Sequence, residues 1–142
     1  MMFKYQEEID RLSIQCPPST WQSKKMLAFR FVFQIPHENT RNNFLPVLII
    51  KPKRKLNPDT DANRCKGYAL SLFDTERNAK RRYNNLVKKR PRLREQLGDS
   101  LAKGFLEEQD GVVSDVDRNG HFNLHEFKNV DLSRKFMIVS DL

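Results

Sequence analysis

The chain has 142 residues, and 26 Lys and Arg against 18 Asp and Glu give it a formal net charge of +8. A chain of this length can bury one core without disulfides or a structural metal, and ten Phe, three Tyr and one Trp supply bulky side chains that disordered chains lack. No apolar run approaches the ~20 residues of a membrane span, and the charged N-terminus lacks the apolar region of a signal peptide. We therefore predict a single domain over residues 1–142, located in the cytoplasm and without a membrane partner.

The two cysteines, Cys16 and Cys65, have no CxxC spacing. They also lack the density of a secreted disulfide scaffold. This pattern favours two reduced thiols.

An N-terminal helix is predicted at 3–16, where the apolar residues fall on one helical face and Pro17 ends the pattern. Three runs rich in aromatic and β-branched residues predict strands at 26–35, 44–51 and 67–73. Polar segments between them predict exposed loops at 37–43 and 53–66.

A basic central helix should begin directly after the third strand, because Asp74 or Thr75 can cap its first turn. The stripe expected to dock on the sheet consists of Ala79, Tyr83, Leu86 and Val87. Pro91 is a favoured first residue for a second short helix, and its apolar residues would be Leu93, Leu97 and Leu101.

Further strands are expected at 111–114 and 121–127, with a final buried strand at 136–139, whereas 105–108 fits either a strand or a helix end. The fold class predicted from these elements is α+β. It is an antiparallel sheet of about five or six strands, with the N-terminal helix and the basic central helix packed on it.

Basic residues are concentrated in two segments. Between residues 77 and 94 no acidic residue occurs, and the cations are Arg77, Lys80, Arg81, Arg82, Lys88, Lys89, Arg90, Arg92 and Arg94. The second segment contains Lys51, Lys53, Arg54 and Lys55. Such segments favour nucleic-acid phosphates or an acidic protein partner, and a solvated face that keeps the protein soluble is the alternative. Because Tyr83 is assigned to the core, base stacking on it is not expected, and the phosphate contacts would tolerate any base sequence.

The segment 115–127 allows two interpretations. As a calcium loop, similar to the EF-hand family over this loop only, it would bind calcium through Asp115, Asp117, Asn119, the His121 carbonyl and Glu126, with Gly120 at the sharp turn. As a β-hairpin, it would turn at Asn119 and Gly120, a preferred pair for a two-residue turn with positive φ. Phe122, the lack of a second such loop and the valines preceding the segment favour the hairpin, and no cofactor is then expected.

Two further groups of residues suggest chemistry. His121 and His125 would lie on one face of a strand but about 13 Å apart, too far to share one metal ion. Arg30, Ser71 and Glu126 follow the order of Arg, Ser and Glu in some ADP-ribosyltransferases. That resemblance implies that the arginine and serine hold NAD and that the glutamate supports the glycosidic transfer.

The segments 69–75 and 120–127, together with Ala79 and the apolar run 136–139, resemble small uncharacterised bacterial proteins. Some of these proteins are encoded beside phage-defence or other conflict genes. The resemblance implies an accessory or effector role in bacteria and carries no catalytic motif.

Overall fold

The computed structural model describes residues 2–34 and 42–142. Within these residues six strands form one antiparallel sheet, in the order β4-β5-β2-β1-β3-β6. The strands are β1 (Met26–Val32), β2 (Leu70–Phe73), β3 (Ser100–Leu106), β4 (Gly111–Val113), β5 (His121–Glu126) and β6 (Met137–Asp141). The predicted α+β fold with five or six antiparallel strands is confirmed.

Helices and single helical turns connect the strands. The α-helices are α1 (Gln6–Asp10), α2 (Val47–Ile50), α3 (Asp61–Gly67), α4 (Glu76–Lys89) and α5 (Arg94–Leu97). The 3₁₀ turns are Pro91–Leu93, Glu108–Asp110 and Leu132–Arg134. None of the helices in the described parts of the chain has the length and apolar character needed to cross a membrane.

Helix α4 forms as its sequence predicts. The Thr75 hydroxyl accepts a hydrogen bond from the backbone N–H of Asn78 at 3.0 Å, which caps the first turn. Ala79 and Tyr83 are buried, and the Tyr83 hydroxyl donates to the Gly98 carbonyl at 2.6 Å. The cations occupy the rest of the helix circumference, so the docked face and the charged face are separate.

The sheet is covered on both faces. The face that packs against α4 contains the buried residues Phe29, Phe73 and Leu101, which cluster with the buried Ala79 of the helix. The larger core includes Ala28, Val32, Leu70, Leu72, Ala102, Leu106, Phe122, Leu124, Leu132 and Phe136. The alternation of apolar side chains along β1, β2 and β3 thus supplies both cores.

The segment 44–51 is not a strand, and its prediction was wrong. Pro46 precedes the short helix α2, in which Leu48 is fully buried and packs against Gly67. Both edges of β1 are already taken, because β1 pairs with β2 on one side and with β3 on the other. The β-branched run therefore packs as a helical turn beside the sheet.

The loop predicted at 53–66 ends in α3, whose first turn is capped by the Thr60 hydroxyl. The third strand therefore begins at Leu70 and not at residue 67. Leu101 belongs to β3 and not to the second short helix, which ends at Leu97.

At the N-terminus, helical structure is limited to Gln6–Asp10, because hydrogen bonds from Ser13 to Asp61 hold the following residues in turns. The strand predicted at 26–35 ends at Val32. Its last residue, Ile35, and residues 37–41 of the predicted loop lie outside the described residues.

The final strand, β6, is exposed, so its prediction as a buried strand was wrong. Among the described residues it lies at the edge of the sheet and pairs only with β3, and Met137 is 73% exposed. The C-terminal apolar run is thus an edge strand of the described sheet.

Candidate functional site

A cavity of about 630 Å³ lies beside β1, β2 and β5, a size typical of sites for small organic ligands. Side chains of Phe31, Phe33 and Phe73 form part of its apolar lining. Cations outnumber carboxylates in the lining. The cations are Arg30, Lys51, Arg54, Lys66 and Arg82, and the carboxylates are Glu95 and Asp117. The cavity is therefore suited to a ligand that combines an apolar ring with negative charge.

A second depression adjoins this cavity and joins the two basic segments. It is lined by Lys51, Lys53, Arg54, Arg90, Pro52 and Gln96. Lys51, Arg54 and Gln96 also line the cavity, so the two spaces share a wall. We call the cavity and this depression together the basic cleft.

The remaining cations predicted as contact residues are distributed around the cleft. Lys55, Arg77, Arg81, Lys88, Lys89 and Arg92 are exposed to solvent and do not line it. Lys80 forms an ion pair with Glu76 at 3.1 Å, an exposed pair one helical turn apart. The structure therefore brings part of the predicted surface into one concave site and leaves the rest on the solvent face of α4, at its ends and, for Lys55, between α2 and α3.

Arg30 is fixed at the point where β1 and β2 separate. The two strands pair at Phe29 and Phe73, and beyond this pair the Arg30 guanidinium donates to the Ser71 carbonyl at 2.9 Å and to the Asn43 carbonyl at 2.6 Å. Burial lowers the pKa of Arg30 to about 10, so the group remains charged at neutral pH. A cation held in place by two backbone carbonyls thus forms part of the cavity wall.

Ser71 and His121 form a polar pair in the cavity. The Ser71 Oγ lies 2.5 Å from His121 Nε2, and the His121 ring packs edge-on against Phe73. On the other side of the imidazole, Nδ1 lies 3.8 Å from Asp117 Oδ2, which is longer than a hydrogen bond. Burial lowers the pKa of His121, opposed by Asp117 and reinforced by Arg82 and Lys66. A neutral imidazole beside the hydroxyl can accept its proton, so the pair can polarise Ser71 or bind a ligand hydroxyl.

The segment 115–127 is a hairpin, as predicted, since β4 and β5 pair in antiparallel register. Its turn differs from the prediction. Asp117 N donates to the His121 carbonyl and Gly120 N to the Asp117 carbonyl, which encloses a three-residue loop. Only Gly120 has positive φ, at +79°, whereas the predicted two-residue turn would also require positive φ at Asn119.

The hairpin separates the ligands of the alternative calcium loop. Asp117 Oδ1 accepts hydrogen bonds from the backbone N–H groups of Asn119 and His121. Glu126 lies at the other end of β5, about 17 Å along the strand, and its carboxylate accepts a hydrogen bond from Lys4 at 2.7 Å. Strands, not helices, flank the loop, and Asp115 is exposed. The residues of a calcium loop are therefore not brought together here.

The Arg, Ser and Glu predicted from the ADP-ribosyltransferase resemblance lie on adjacent strands. Arg30 and Ser71 line the cavity. Glu126 is 3% exposed, does not line the cavity and is bound by Lys4. Burial raises the pKa of Glu126, opposed by Lys4 and Arg30. The structure thus brings the first two residues together at the cavity, whereas the third lies outside the cavity lining in a partly buried ion pair with Lys4.

The two cysteines are disulfide-bonded, so the prediction of two reduced thiols was wrong. Cys16 and Cys65 are separated by 49 positions in the sequence, yet their Cα atoms lie 5.7 Å apart. His125 lies against the bridge, with Nε2 3.6 Å from each sulfur. Among the described residues, these three side chains form the one group of three or more His, Cys, Asp and Glu whose candidate ligand atoms all lie within 4.8 Å of one another.

The surroundings of His125 are apolar. The rings of Trp21 and Phe3 lie 5.3 and 6.2 Å from its imidazole, and burial lowers the pKa of His125 to about 4. His121 is not part of this group. Sequence reasoning missed the group because its members are far apart in the chain and show no local spacing.

Comparisons with known proteins identify no relative. No protein-family model matches the chain. No curated protein and no solved structure matches it at a significant level.

Proposed function

We propose that this protein is a small basic accessory protein that binds the phosphates of a single-stranded nucleic acid in its basic cleft, in the bacterial cytoplasm. The observation that carries the proposal is the convergence of the two basic segments, since Lys51, Lys53 and Arg54 of one and Arg90 of the other line the same depression. The resemblance to proteins encoded beside conflict genes supports an accessory or effector role.

The positive charge of the cleft would suit any polyanion, but its concave shape favours a single-stranded nucleic acid over a duplex. A duplex presents its phosphates on a convex surface, whereas a single strand can place a base in a pocket and leave its phosphates at the rim. Phe31 and Phe73 line the cavity beside Arg30 and Arg82. Tyr83 is 1% exposed and packs edge-on against Phe31, so it is not available for stacking.

The test is fluorescence anisotropy with labelled single-stranded and double-stranded oligonucleotides over a series of salt concentrations. Single-strand affinity should fall with salt, with a slope of about −0.7 in log–log form for each phosphate contact. Replacing Lys51, Arg54 and Arg90 by alanine should reduce the magnitude of that slope by about 2.

A matched control variant distinguishes the effect of the cleft residues on binding from the effect of the protein's net charge. Lys24, Lys25 and Arg134 are exposed and lie outside the cleft, and replacing them removes the same charge. Equal losses in both triple variants would contradict the cleft as the binding site. If no oligonucleotide binds, the acidic protein partner becomes the better proposal, and the same two variants then serve in a pull-down from the native host.

A second candidate is an NAD-using enzyme of the ADP-ribosyltransferase type. The observation that favours it is that Arg30 and Ser71 both line the cavity, next to the His121 imidazole. In calorimetric titration with NAD, Ser71→Ala should weaken binding, whereas Glu126→Gln should leave it unchanged, because Glu126 does not line the cavity. NAD binding that is identical in wild type and Ser71→Ala would contradict this candidate.

A further inference from the structure

We propose that Cys16, Cys65 and His125, once the disulfide is reduced, form a three-ligand site for a zinc-like divalent ion. The site lies outside the basic cleft, and none of its three residues lines it. The proposal does not depend on the function proposed above.

The distances suit a tetrahedral zinc site. With Zn–S bonds of about 2.3 Å and Zn–N bonds of about 2.0–2.1 Å, a sulfur and a nitrogen at two corners of a tetrahedron stand about 3.5 Å apart. His125 Nε2 lies 3.6 Å from Cys16 Sγ and 3.6 Å from Cys65 Sγ. The histidine therefore already occupies the corner that a metal would require, and only the two sulfurs must move apart, to about 3.8 Å.

Three separate parts of the fold hold the ligands. Cys65 lies in α3 and is 1% exposed, and His125 lies in β5 and is 2% exposed. The Trp21 ring packs against the imidazole and limits its rotation. Pre-positioned ligands of this kind reduce the ordering that metal binding would otherwise require.

The donor atoms select the ion. Two thiolates and one imidazole favour zinc over calcium or magnesium, which prefer oxygen ligands. Cys16 lies in a bend and is only partly buried, and three protein ligands leave a fourth tetrahedral position that water can fill. Three protein ligands with one exchangeable position is the arrangement found in catalytic zinc sites.

The site would form in two chemical steps, reduction of the disulfide and then binding of the metal. A phosphine reductant breaks the S–S bond, and water supplies two protons to the sulfurs and one oxygen to the phosphine, which becomes the phosphine oxide. Zinc then binds both sulfurs as thiolates and releases the two thiol protons. The disulfide and the metal thus link the same two segments, in oxidising and reducing conditions respectively.

The experiment uses the full chain, reduced anaerobically with tris(2-carboxyethyl)phosphine and titrated with Zn²⁺ against a chromophoric chelator. A parallel titration with Co²⁺ records the thiolate-to-cobalt charge-transfer band. We expect one equivalent of metal in the reduced protein and none in the oxidised wild type, which is the matched control. The Co²⁺ band should be strongly reduced in Cys16→Ser, which keeps one thiolate, and His125→Gln should weaken Zn²⁺ binding by more than the roughly 10–100-fold that loss of an outer-shell partner costs.

Circular dichroism of each reduced protein shows whether it is folded. Cys16 is the safer position to replace because it is less buried than the other two residues. A folded, reduced wild type that shows no charge-transfer band and leaves all Zn²⁺ with the chelator would overturn the site. Unchanged Zn²⁺ affinity in a folded His125→Gln variant would overturn the assignment of the histidine.

Discussion

Removing the Cys16–Cys65 disulfide should lower the free energy of unfolding by about 4 kcal/mol. The bridge joins residues 49 positions apart and therefore closes a long loop in the unfolded chain. For a loop of about 50 residues, the chain-entropy relation gives about 14 cal/mol/K, or about 4 kcal/mol at 25 °C. With a urea dependence of about 2 kcal/mol per molar, the unfolding midpoint should fall by about 2 M.

The assay is equilibrium urea denaturation followed by circular dichroism, with a metal chelator present so that only the covalent link is tested. Oxidised wild type is compared with reduced wild type and with the double variant Cys16→Ala and Cys65→Ala. The double variant should resemble the reduced protein and should not respond to reductant. Coincident midpoints for oxidised and fully reduced wild type, with reduction verified by thiol titration, would refute the reasoning.

Three further predictions follow from single contacts. Tyr83→Phe removes a buried hydroxyl and leaves a backbone carbonyl unpaired, so chemical denaturation should show a loss of about 1–2 kcal/mol. Gly120→Ala places a methyl group at positive φ against neighbouring side chains. The free energy of unfolding should fall by about 1–3 kcal/mol, and calorimetry should show a lower Tm. In an NMR titration the pKa of His121 should lie below 6.5, should fall further in Asp117→Asn and should rise in Arg82→Ala. Because the native imidazole stays neutral while the unfolded one protonates, its contribution to stability should be lost as pH falls from 6.5 through the lowered pKa.

Local sequence patterns were enough to predict the elements that are determined by capping residues and by the spacing of apolar residues. In α4, the cap at Thr75 and the docking of Ala79 and Tyr83 follow from spacing alone. The strands β1 and β5 are likewise apparent from their apolar residues. The hairpin was also predictable, although its exact turn was not, because Asn119 avoids positive φ once Asp117 binds the backbone of the loop.

The errors arise where distant parts of the chain decide the outcome. The run 44–51 has strand-like composition, but whether a strand forms depends on a free edge, and β1 has none. The disulfide depends on α3 meeting the N-terminal segment, across 49 positions without local spacing. The Ser71 and His121 pair depends on the register between β2 and β5, which places Ser71 opposite Asn123 and Phe73 opposite His121. None of these long-range contacts can be predicted from local composition.

The separation of β1 from β2 has a mechanical consequence. These strands meet at Phe29 and Phe73, whereas β1 pairs with β3 along its full length. The sheet therefore consists of two three-stranded halves that are connected by a short pairing between β1 and β2, with Arg30 beside it. Amide hydrogens at this short pairing should exchange with solvent sooner than those between β1 and β3, and a ligand that contacts both halves should slow that exchange.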